Sequence, residues 1–448
     1  MTMRLAGTLP MTSVIQLCRS ALWDEMQAIR KKGTKSLHLS DGRLLGEEAE
    51  GEYLYSFTLD AEVILPDDVR GTLSVGGVEV KVSVISISGF TILLLVPQSV
   101  GREVPSARLE TDASFLLEKL RDRLAALAYD TEAMRLAARL FAPLALSTAP
   151  SANVAKATPE MTGSLNVYQR QAVAHVTASD VSFVWGPPGT GKTTTLGHTV
   201  AALLRQGESV LVVAHSNAAV DAAALAVGRE TGVLPLFTAG RILRVGVSRT
   251  SNLDKNMLPR EVVRRKHPQL VEAIEDLEHD RDLLTRQLEK TTGDAPAERA
   301  NLSEIREQLQ DYREQLRSAE RELVAGARCV LCTLSKSALA EEIYLRTFDA
   351  VVVDEASMAY IPADVHVASL ARRRVAIFGD FRQLPPITQG GTRQIEDWLE
   401  PDIFEKAGIV ANVDARRRDP ALSCCPSSIA CILTSRASSP GGFIRVDL

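Results

Sequence analysis

The chain lacks an excess of positive charge and lacks any long apolar run. Its 51 Lys and Arg residues are outnumbered by 56 Asp and Glu, which gives a formal net charge of −5. No global basic field therefore indicates nucleic-acid binding, although a local basic groove can exist on an acidic protein. The longest apolar stretch, residues 80–97, is broken by Lys81, by three serines and by Gly89. It predicts a strand and excludes a membrane span.

Cysteine is also scarce, with six residues in a chain of 448. So few cysteines in so long a chain do not favour a disulfide framework. Cys329 and Cys332 form a lone C-x-x-C inside the apolar run 327–334. That run predicts a buried strand, because no second pair and no nearby histidine supports a zinc site. Residues 1–19 lack the ordered regions of a signal peptide, so the default expectation is an intracellular, cytoplasmic protein with no membrane contact.

One segment carries a specific chemical pattern. Residues 186–193 read Gly-Pro-Pro-Gly-Thr-Gly-Lys-Thr and follow directly on the apolar run 181–185, so a predicted strand leads into a glycine-rich loop and a helix. The N–H groups of such a loop wrap the β-phosphate of a nucleotide, and the helix adds its positive N-terminal end. The predicted nucleotide-binding residues are Gly186, Pro187, Pro188, Gly189, Thr190, Gly191, Lys192, Thr193 and Thr194.

Four side chains have individual predicted roles in this site. Lys192 would reach the β- and γ-phosphates, and the hydroxyl of Thr193 would bind Mg²⁺. Asp354 and Glu355 follow a second aliphatic run, 350–353, whose carboxyl end lies beside the P-loop in this class of fold. Asp354 would hold Mg²⁺ through a water, opposite Thr193, and Glu355 would orient and deprotonate the attacking water. The chain is therefore predicted to hydrolyse a nucleoside triphosphate.

The rest of the chain shows a mixed architecture. Residues 42–109 contain short alternating strands separated by turn residues, which predicts a small β-barrel. Helical patterns at 12–32 and 111–140 flank it, and a Pro/Ala/Ser/Thr-rich stretch at 148–162 predicts a linker. From about residue 165, strands and helices alternate around the P-loop, which predicts a mostly parallel, doubly wound sheet.

A charged helical pattern interrupts this sheet between residues 259 and 325. Seven apolar residues of its second arm, from Leu302 to Leu323, are spaced three and four apart in strict alternation. A turn at 291–296 separates them from a similar first arm, so the segment predicts an antiparallel coiled coil. A nucleic-acid clamp, an arm for a protein partner and a passive solvated stalk all stay open as its role.

A third motif, residues 379–386, reads Gly-Asp-Phe-Arg-Gln-Leu-Pro-Pro after another predicted strand. Together with the P-loop and Asp-Glu-Ala-Ser at 354–357, in this order, it resembles the superfamily 1 helicases. The matching branch contains the nonsense-mediated-decay helicase and the immunoglobulin-μ-binding helicase. The resemblance extends over roughly residues 10–420, and its three core motifs are highly specific together.

The resemblance implies roles for further residues. Gln169, in Leu-Asn-Val-Tyr-Gln at 165–169, would grip the adenine edge, so the nucleotide would be ATP. Ser216, Asn217 and Thr333 fall where the family contacts the nucleic-acid backbone, so single-stranded DNA or RNA would be the track. Gln383 would sense the γ-phosphate and couple hydrolysis to movement along the strand.

The same resemblance implies a fold class and a division into domains. The fold would be α/β, a P-loop RecA-like parallel sheet with a small N-terminal β-barrel and an antiparallel coiled-coil insertion. The predicted parts are a helical segment at 1–41, a small β-barrel at 42–110, a stalk helix at 111–147, a linker at 148–162, a RecA-like ATPase lobe at 163–258 and 326–410, a coiled-coil hairpin at 259–325, and the start of a second lobe with an irregular tail at 411–448.

The sequence departs from the family after residue 386. The family's next motif resembles Gln-Tyr-Arg-Met-Asp-Pro, whereas residues 415–420 read Ala-Arg-Arg-Arg-Asp-Pro and match at Arg417, Asp419 and Pro420. Arg417 would reach the γ-phosphate, with a solvated basic turn as the equal alternative. We expect the chain to stop before the second lobe, whose arginines are worth about 10³–10⁵ in rate. We further expect residues 424–448 to be a frameshifted or degenerate end.

These patterns favour an ATP- and Mg²⁺-dependent helicase or translocase of superfamily 1. Turnover by this chain is expected to be weak or absent unless a second lobe comes from another chain. The alternative is a nucleotide-binding interaction module, in which ATP acts as a switch while the coiled coil and the barrel bind a protein partner. Salt-dependent binding to single strands would favour the first interpretation over the second.

Overall fold

The computed structural model describes residues 9–31, 35–49, 51–60, 65, 67–112, 114–141, 165–248, 250, 252–290, 295–417 and 419–424. The predicted linker at 148–162 and residues 425–448 of the predicted tail lie outside these residues.

The N-terminal part of the fold is a closed antiparallel barrel. Its six strands are β1 Lys35–Ala49, β2 Glu52–Leu59, β3 Val69–Val75, β4 Val78–Ser88, β5 Thr91–Val96 and β6 Glu103–Thr111. They pair in the order β1-β2-β5-β4-β3-β6. Alternate side chains such as Tyr55, Leu94 and Leu109 point inward and are buried, as the two-residue period of a strand requires. The predicted small barrel is confirmed, although β1 begins before the expected boundary at residue 42.

Three helices flank the barrel in sequence: α1 Met11–Lys31, α2 Ser114–Leu127 and α3 Met134–Arg139. The expected single helical stretch at 111–140 is therefore wrong, because the chain turns between α2 and α3. Asp130 explains the break: its carboxylate accepts the Ala133 N–H at 2.9 Å, a local bond that competes with helix continuation. The apolar faces of α1 and α2 pack against each other, with Leu22 and Leu124 wholly buried.

The second part of the fold is a seven-stranded, all-parallel sheet. Its strands are β7 Val181–Trp185, β8 Val210–Ala214, β9 Ile242–Arg244, β10 Cys329–Thr333, β11 Phe348–Asp354, β12 Ala371–Gly379 and β13 Leu422–Cys424. The order across the sheet is β13-β7-β12-β11-β8-β10-β9. Every residue of β7, β8 and β10 is buried, as expected for parallel strands covered on both faces.

Helices cover both faces of this sheet, and two long ones form a hairpin. Beyond the barrel region they are α4 Val167–Ala178, α5 Lys192–Arg205, α6 Asn217–Thr231, α7 Pro235–Thr238, α8 Pro259–Lys266, α9 Pro268–Lys290, α10 Pro296–Ala325, α11 Leu334–Leu339, α12 Glu341–Tyr344, α13 Ile361–Ser369, α14 Arg393–Trp398, α15 Ile403–Lys406 and α16 Ile409–Asp414, with 3-10 turns at Lys255–Met257 and Ala356–Met358. One face of the sheet packs on α4, α5 and α6, and the apolar side chains of the other face form one core with those of α1, α2, α3 and α13.

The hairpin consists of α9 and α10, which pack against each other along their length. In α10 the buried apolar residues fall on the predicted alternating spacing, with Leu309 and Leu316 nearly or wholly inaccessible. In α9, Ile274 is buried against them. The predicted antiparallel coiled-coil insertion is thereby confirmed. The preceding helix α8 contacts the barrel, where Arg260 Nη1 donates to the Glu47 carbonyl at 2.5 Å.

The described end of the chain belongs to the parallel sheet. β13 pairs with β7 in parallel register, Ser423 opposite Val184, and His175 of α4 shares a 2.7 Å hydrogen bond with the Ser423 hydroxyl. Up to Cys424, therefore, the segment expected to begin a second lobe instead extends the first one.

No helix among the described residues is long and apolar enough to cross a membrane.

Candidate active site

The P-loop lies between the buried end of β7 and the first turn of α5. Gly189 and Gly191 have φ angles of 77° and 80°, a left-handed conformation in which a side chain would be strained. The loop is tied to the sheet at its start, where the Gly186 N–H donates to the Gly379 carbonyl at 3.2 Å, and it is braced internally by the Thr190 hydroxyl, which donates to the Pro187 carbonyl at 2.8 Å. The fold thus holds the loop backbone open at the carboxyl edge of the sheet, where ligands bind in this class of fold.

The structure brings the P-loop lysine and the acidic pair together. Lys192 Nζ lies 2.8 Å from Glu355 Oε2, and the lysine side chain is 9% exposed. Asp354 is buried beside them at the end of β11, and its Oδ1 accepts the Glu355 N–H at 3.0 Å. β11 is separated from β7 by β12, so the ion pair spans the mouth of the P-loop.

The negative charge of this cluster is only partly compensated by Lys192. Burial raises the pKa of the Asp354 carboxyl to about 6, and the nearby Lys192 opposes that rise without cancelling it. Glu355 has a φ of 51°, an uncommon conformation for a residue with a side chain. A buried carboxylate short of positive charge and a backbone in a sparsely populated region are both features that concentrate at functional sites.

The third motif meets the P-loop strand through a residue that the sequence did not single out. Asp380 is buried, its Oδ1 accepts the indole N–H of Trp185 at 2.9 Å, and its Oδ2 accepts the side-chain amide of Gln383 at 3.0 Å. Phe381 stacks on Trp185 with ring centroids 4.6 Å apart. Asp380 therefore orients Gln383, whose side chain is otherwise exposed. Its place in the third motif, between Gly379 and Phe381, was the signal that could have identified it.

Gln169 lies behind the P-loop. Its Oε1 accepts the Asn166 N–H at 2.9 Å in a capping box at the start of α4, and its Nε2 donates to the Thr190 carbonyl at 3.1 Å. A side chain at Gly191 would collide with the same amide, since an ideal Cβ would be 2.3 Å from Gln169 Nε2. Both ends of the Gln169 carboxamide are thus engaged with the backbone around the phosphate loop.

The predicted strand-contacting residues lie together at the same sheet edge. Ser216 caps α6 by accepting the Ala219 N–H, and Thr333 caps α11 by accepting the Lys336 N–H. They follow the neighbouring strands β8 and β10. Asn217 and Thr333 are each only 1% exposed, because the barrel covers them. Arg244, itself buried and paired with Asp221, donates to the Asn217 side-chain oxygen at 2.8 Å.

The remaining predicted residues are placed less centrally. Thr193 is half-buried in the first turn of α5, while Thr194 and Pro188 are exposed. Arg417 is exposed after α16, and among the described residues its side chain makes no hydrogen bond or ion pair. The structure therefore does not join Arg417 to the P-loop cluster.

The comparisons with known proteins agree with this arrangement. A family profile described as an AAA domain matches residues 164–390, half of the chain. The chain belongs to this family. Its motifs and relatives are those of the superfamily 1 helicases, in the group with the nonsense-mediated-decay and immunoglobulin-μ-binding helicases, so the resemblance stated from the motifs is confirmed. Helicases of this kind use ATP with a divalent metal.

Three relatives illustrate the match. DNA polymerase alpha-associated DNA helicase A of Schizosaccharomyces pombe is 29% identical over 50% of this chain and 32% of its own length. The ATP-dependent helicase upf1 of the same organism is 28% identical over 59% of this chain and 27% of its length. The DNA-binding protein SMUBP-2 of Mesocricetus auratus is 29% identical over 50% of this chain and 22% of its length. The matched part of the chain thus spans between about a fifth and a third of these relatives.

Proposed function

We propose that the protein is an ATP-driven helicase or translocase that acts on single-stranded DNA or RNA. The observation that carries the proposal is the ion pair between Lys192 and Glu355 beside the buried Asp354. A P-loop lysine and two carboxylates at the end of another strand of the same sheet are the groups that transfer of a phosphoryl group to water requires. The helicase names of two relatives support the same function.

In this proposal the nucleotide replaces contacts that the protein makes with itself. Lys192 would exchange its ion pair with Glu355 for the β- and γ-phosphates, while the loop N–H groups around Gly189 and Gly191 surround the β-phosphate. Gln169 would read the adenine edge after giving up its bond to the Thr190 carbonyl. That bond links recognition of the base to the conformation of the phosphate loop.

The residues present fit a divalent cation. Asp354 is 2% exposed, and among the described residues Lys192 is the one basic group that shifts its pKa. When Lys192 turns to the phosphates, the carboxylate needs another positive charge to stay ionised. Thr193 and Asp354 would hold Mg²⁺, which when bound neutralises charge on the phosphate oxygens.

Glu355 would act as the general base. Its release from Lys192 frees the carboxylate to accept a proton from the attacking water. Lys192 would thus bind phosphate, and Glu355 would act as a base, only when ATP is present. Asp380 would hold Gln383 ready to respond to the γ-phosphate. The Lys192–Glu355 ion pair and the Asp380–Gln383 hydrogen bond would thus make hydrolysis depend on a correctly bound nucleotide.

The strand would bind along the neighbouring part of the same edge. β11, which carries Asp354, is adjacent to β8, which leads to Ser216 and Asn217, and β10 with Thr333 is next. Adjacent strands lie about 4.8 Å apart, so the nucleotide and strand residues are only a few strand spacings apart. The barrel, which contacts α8 through Glu47 and Arg260, would enclose the bound strand together with the hairpin of α9 and α10.

The test is ATP hydrolysis by the purified chain with Mg²⁺, with and without oligo(dT) or oligo(U). Stimulation by one of the two oligonucleotides supports the proposal and identifies the track. ATP binding without any response to either strand contradicts the proposed translocase. Glu79→Gln, an exposed residue of β4, is a suitable control for preparation quality.

A further inference from the structure

Two acidic residues of the barrel cover the predicted strand-binding edge of the lobe. Asp67 and Asp68 lie in the turn that leads into β3. Asp67 Oδ2 accepts the backbone N–H of Asn217 at 2.8 Å, and Asp68 Oδ2 accepts the hydroxyl proton of Thr333 at 2.6 Å. Two carboxylates, adjacent in sequence, thus bind two of the three residues of this edge for which contacts with the nucleic-acid backbone are predicted.

The donors involved suit a phosphate as well as a carboxylate. Asn217 begins α6, a helix of fifteen residues, and an N–H in the first turn of a helix favours a negative charge. The Thr333 hydroxyl already accepts the Lys336 N–H, so its single proton is directed to Asp68. Both donors are therefore already used by acceptors of the same charge sign as a phosphate oxygen.

The barrel holds the acidic turn in place from behind. The Asp68 N–H donates to the Val84 carbonyl at 2.8 Å, and the Asn217 side-chain amide donates to the Ile85 carbonyl at 3.0 Å, both on β4. Asp68 has a φ of 67°, in the left-handed region that aspartate tolerates better than most residues. The contact is thus formed by several bonds between the barrel and the lobe and not by one flexible side chain.

A cavity lies beside the turn that carries Asp67 and Asp68. Leu65, two residues before Asp67, lines a largely apolar cavity of about 260 Å³ together with Leu334 and Pro385. A turn that borders a cavity can shift without opening a close-packed core, which would cost far more. The geometry is that of a contact that can be exchanged for another ligand.

We infer that Asp67 and Asp68 are an autoinhibitory pair whose carboxylates occupy the positions of two phosphates of a single strand. A strand must displace them from Asn217 and Thr333 before it binds, and their negative charge repels an approaching strand until it does. This inference rests on the proposed function, because it assigns a regulation to the proposed strand site. It names the barrel turn as the element that limits affinity for single-stranded nucleic acid.

The test compares four proteins for binding of labelled oligo(dT) and oligo(U) at low and moderate salt. They are the wild type, Asp67→Ala/Asp68→Ala, Asp67→Asn/Asp68→Asn, and Glu79→Ala/Glu103→Ala, which removes two exposed carboxylates elsewhere on the barrel and so changes net charge equally. We expect the alanine pair to bind about tenfold more tightly or better, since two charge-assisted bonds no longer compete. The asparagine pair keeps the acceptors without the charge and should fall between.

The control pair should change affinity by less than about threefold, through general electrostatics alone. Thermal melting of each variant verifies that it is folded, and the asparagine pair keeps the comparison valid if the alanine pair does not fold. Equal or weaker strand binding by both Asp67/Asp68 variants, with wild type binding measurably, overturns the autoinhibition and leaves the proposed function standing. Absence of strand binding by all four proteins overturns both.

Discussion

Lys192 Nζ and Glu355 Oε2 lie 2.8 Å apart, across the mouth of the phosphate loop. One residue belongs to the loop after β7 and the other to the end of β11, with β12 between those strands. The lysine side chain is 9% and the glutamate 29% exposed, so the pair is shielded enough to be stronger than a surface ion pair. Lys192 and Glu355 therefore satisfy each other's charge, and under the proposed function phosphate would have to compete with Glu355 for Lys192.

Removing the charge of Glu355 should separate binding from hydrolysis. We expect Glu355→Gln to lower the hydrolysis rate about 10²–10⁴-fold, because the general base is lost. We expect its affinity for ATP to rise a few-fold, because Lys192 no longer has a competing carboxylate. Steady-state turnover and equilibrium binding of labelled ATP measure the two effects. Glu396→Gln, an exposed residue of α14, should change neither, and normal turnover by Glu355→Gln would refute its role.

Removing Lys192 should have the opposite effect on binding. We expect Lys192→Ala to weaken ATP binding by at least about 10²-fold, because the β- and γ-phosphates lose a buried cationic partner. Titration with a fluorescent ATP analogue measures this loss. Lys255→Ala is the matched control, since that lysine is 78% exposed and far less shielded. Equal affinities of the two variants would contradict the assignment of Lys192 to the phosphate site.

Asp354 should cost stability in the absence of metal. Burial raises its pKa to about 6, so its charged form is unfavourable in the folded protein at neutral pH. We expect Asp354→Asn to raise the free energy of unfolding at pH 8, without Mg²⁺ or ATP, by about 1–3 kcal/mol while abolishing Mg²⁺-dependent hydrolysis. Urea unfolding and an ATPase assay test the pair of effects. A variant that is less stable at pH 8 would indicate that the carboxylate is adequately compensated by Lys192.

Asp380 should connect nucleotide state to the third motif. We expect Asp380→Ala to free both the Trp185 indole and the Gln383 amide, leaving a buried N–H without an acceptor, at a cost of about 1–3 kcal/mol in stability. ATP affinity should change little, while stimulation of hydrolysis by single strands should be lost. Trp185→Phe separates the causes, because it removes the indole bond and keeps Asp380 on Gln383. Full strand stimulation in Asp380→Ala would show that Gln383 needs no such support.

Two buried carboxyls of the lobe should make its stability fall as pH rises. Burial raises the pKa of Asp402 to about 6 and raises that of Asp364 well above its ordinary range. Neither carboxylate oxygen of Asp364 has a hydrogen-bond partner among the described residues. A carboxyl with a raised folded pKa contributes its full stability below its unfolded pKa of about 4 and loses it as pH rises through the folded value.

Asp364→Asn isolates this effect. We expect the variant to gain stability relative to the wild type as pH rises from 5 to 8, by about 1–3 kcal/mol at the upper end. Urea unfolding at the two pH values measures the difference. Asp311→Asn, an exposed residue of α10, should show no such trend. A difference that does not vary with pH would mean that the folded and unfolded proteins bind the same number of protons at Asp364, so that folding does not raise its pKa.

The motifs of the nucleotide site could be predicted because they are local. A strand, a glycine-rich loop and a helix follow each other within residues 181–205, so the spacing of a few residues determines where Lys192 lies relative to β7. The coiled coil was predictable for the same reason, since the alternating spacing in α10 places its apolar residues on one face. The helix break at Asp130 was missed because the spacing of apolar residues does not change there. A single side-chain hydrogen bond of Asp130 separates α2 from α3.

The sequence by itself therefore determined the barrel, the coiled coil, the chemistry of the phosphate loop and the acidic pair at the end of β11. Only the tertiary structure decided that Glu355 pairs with Lys192, that Asp380 bonds to Trp185, that β13 joins the first sheet, and that Asp67 and Asp68 lie on Asn217 and Thr333. Periodicity and turn chemistry act between near neighbours in the chain. Contacts between residues more than a hundred positions apart depend on how packed layers meet, and that information is spread over the whole core.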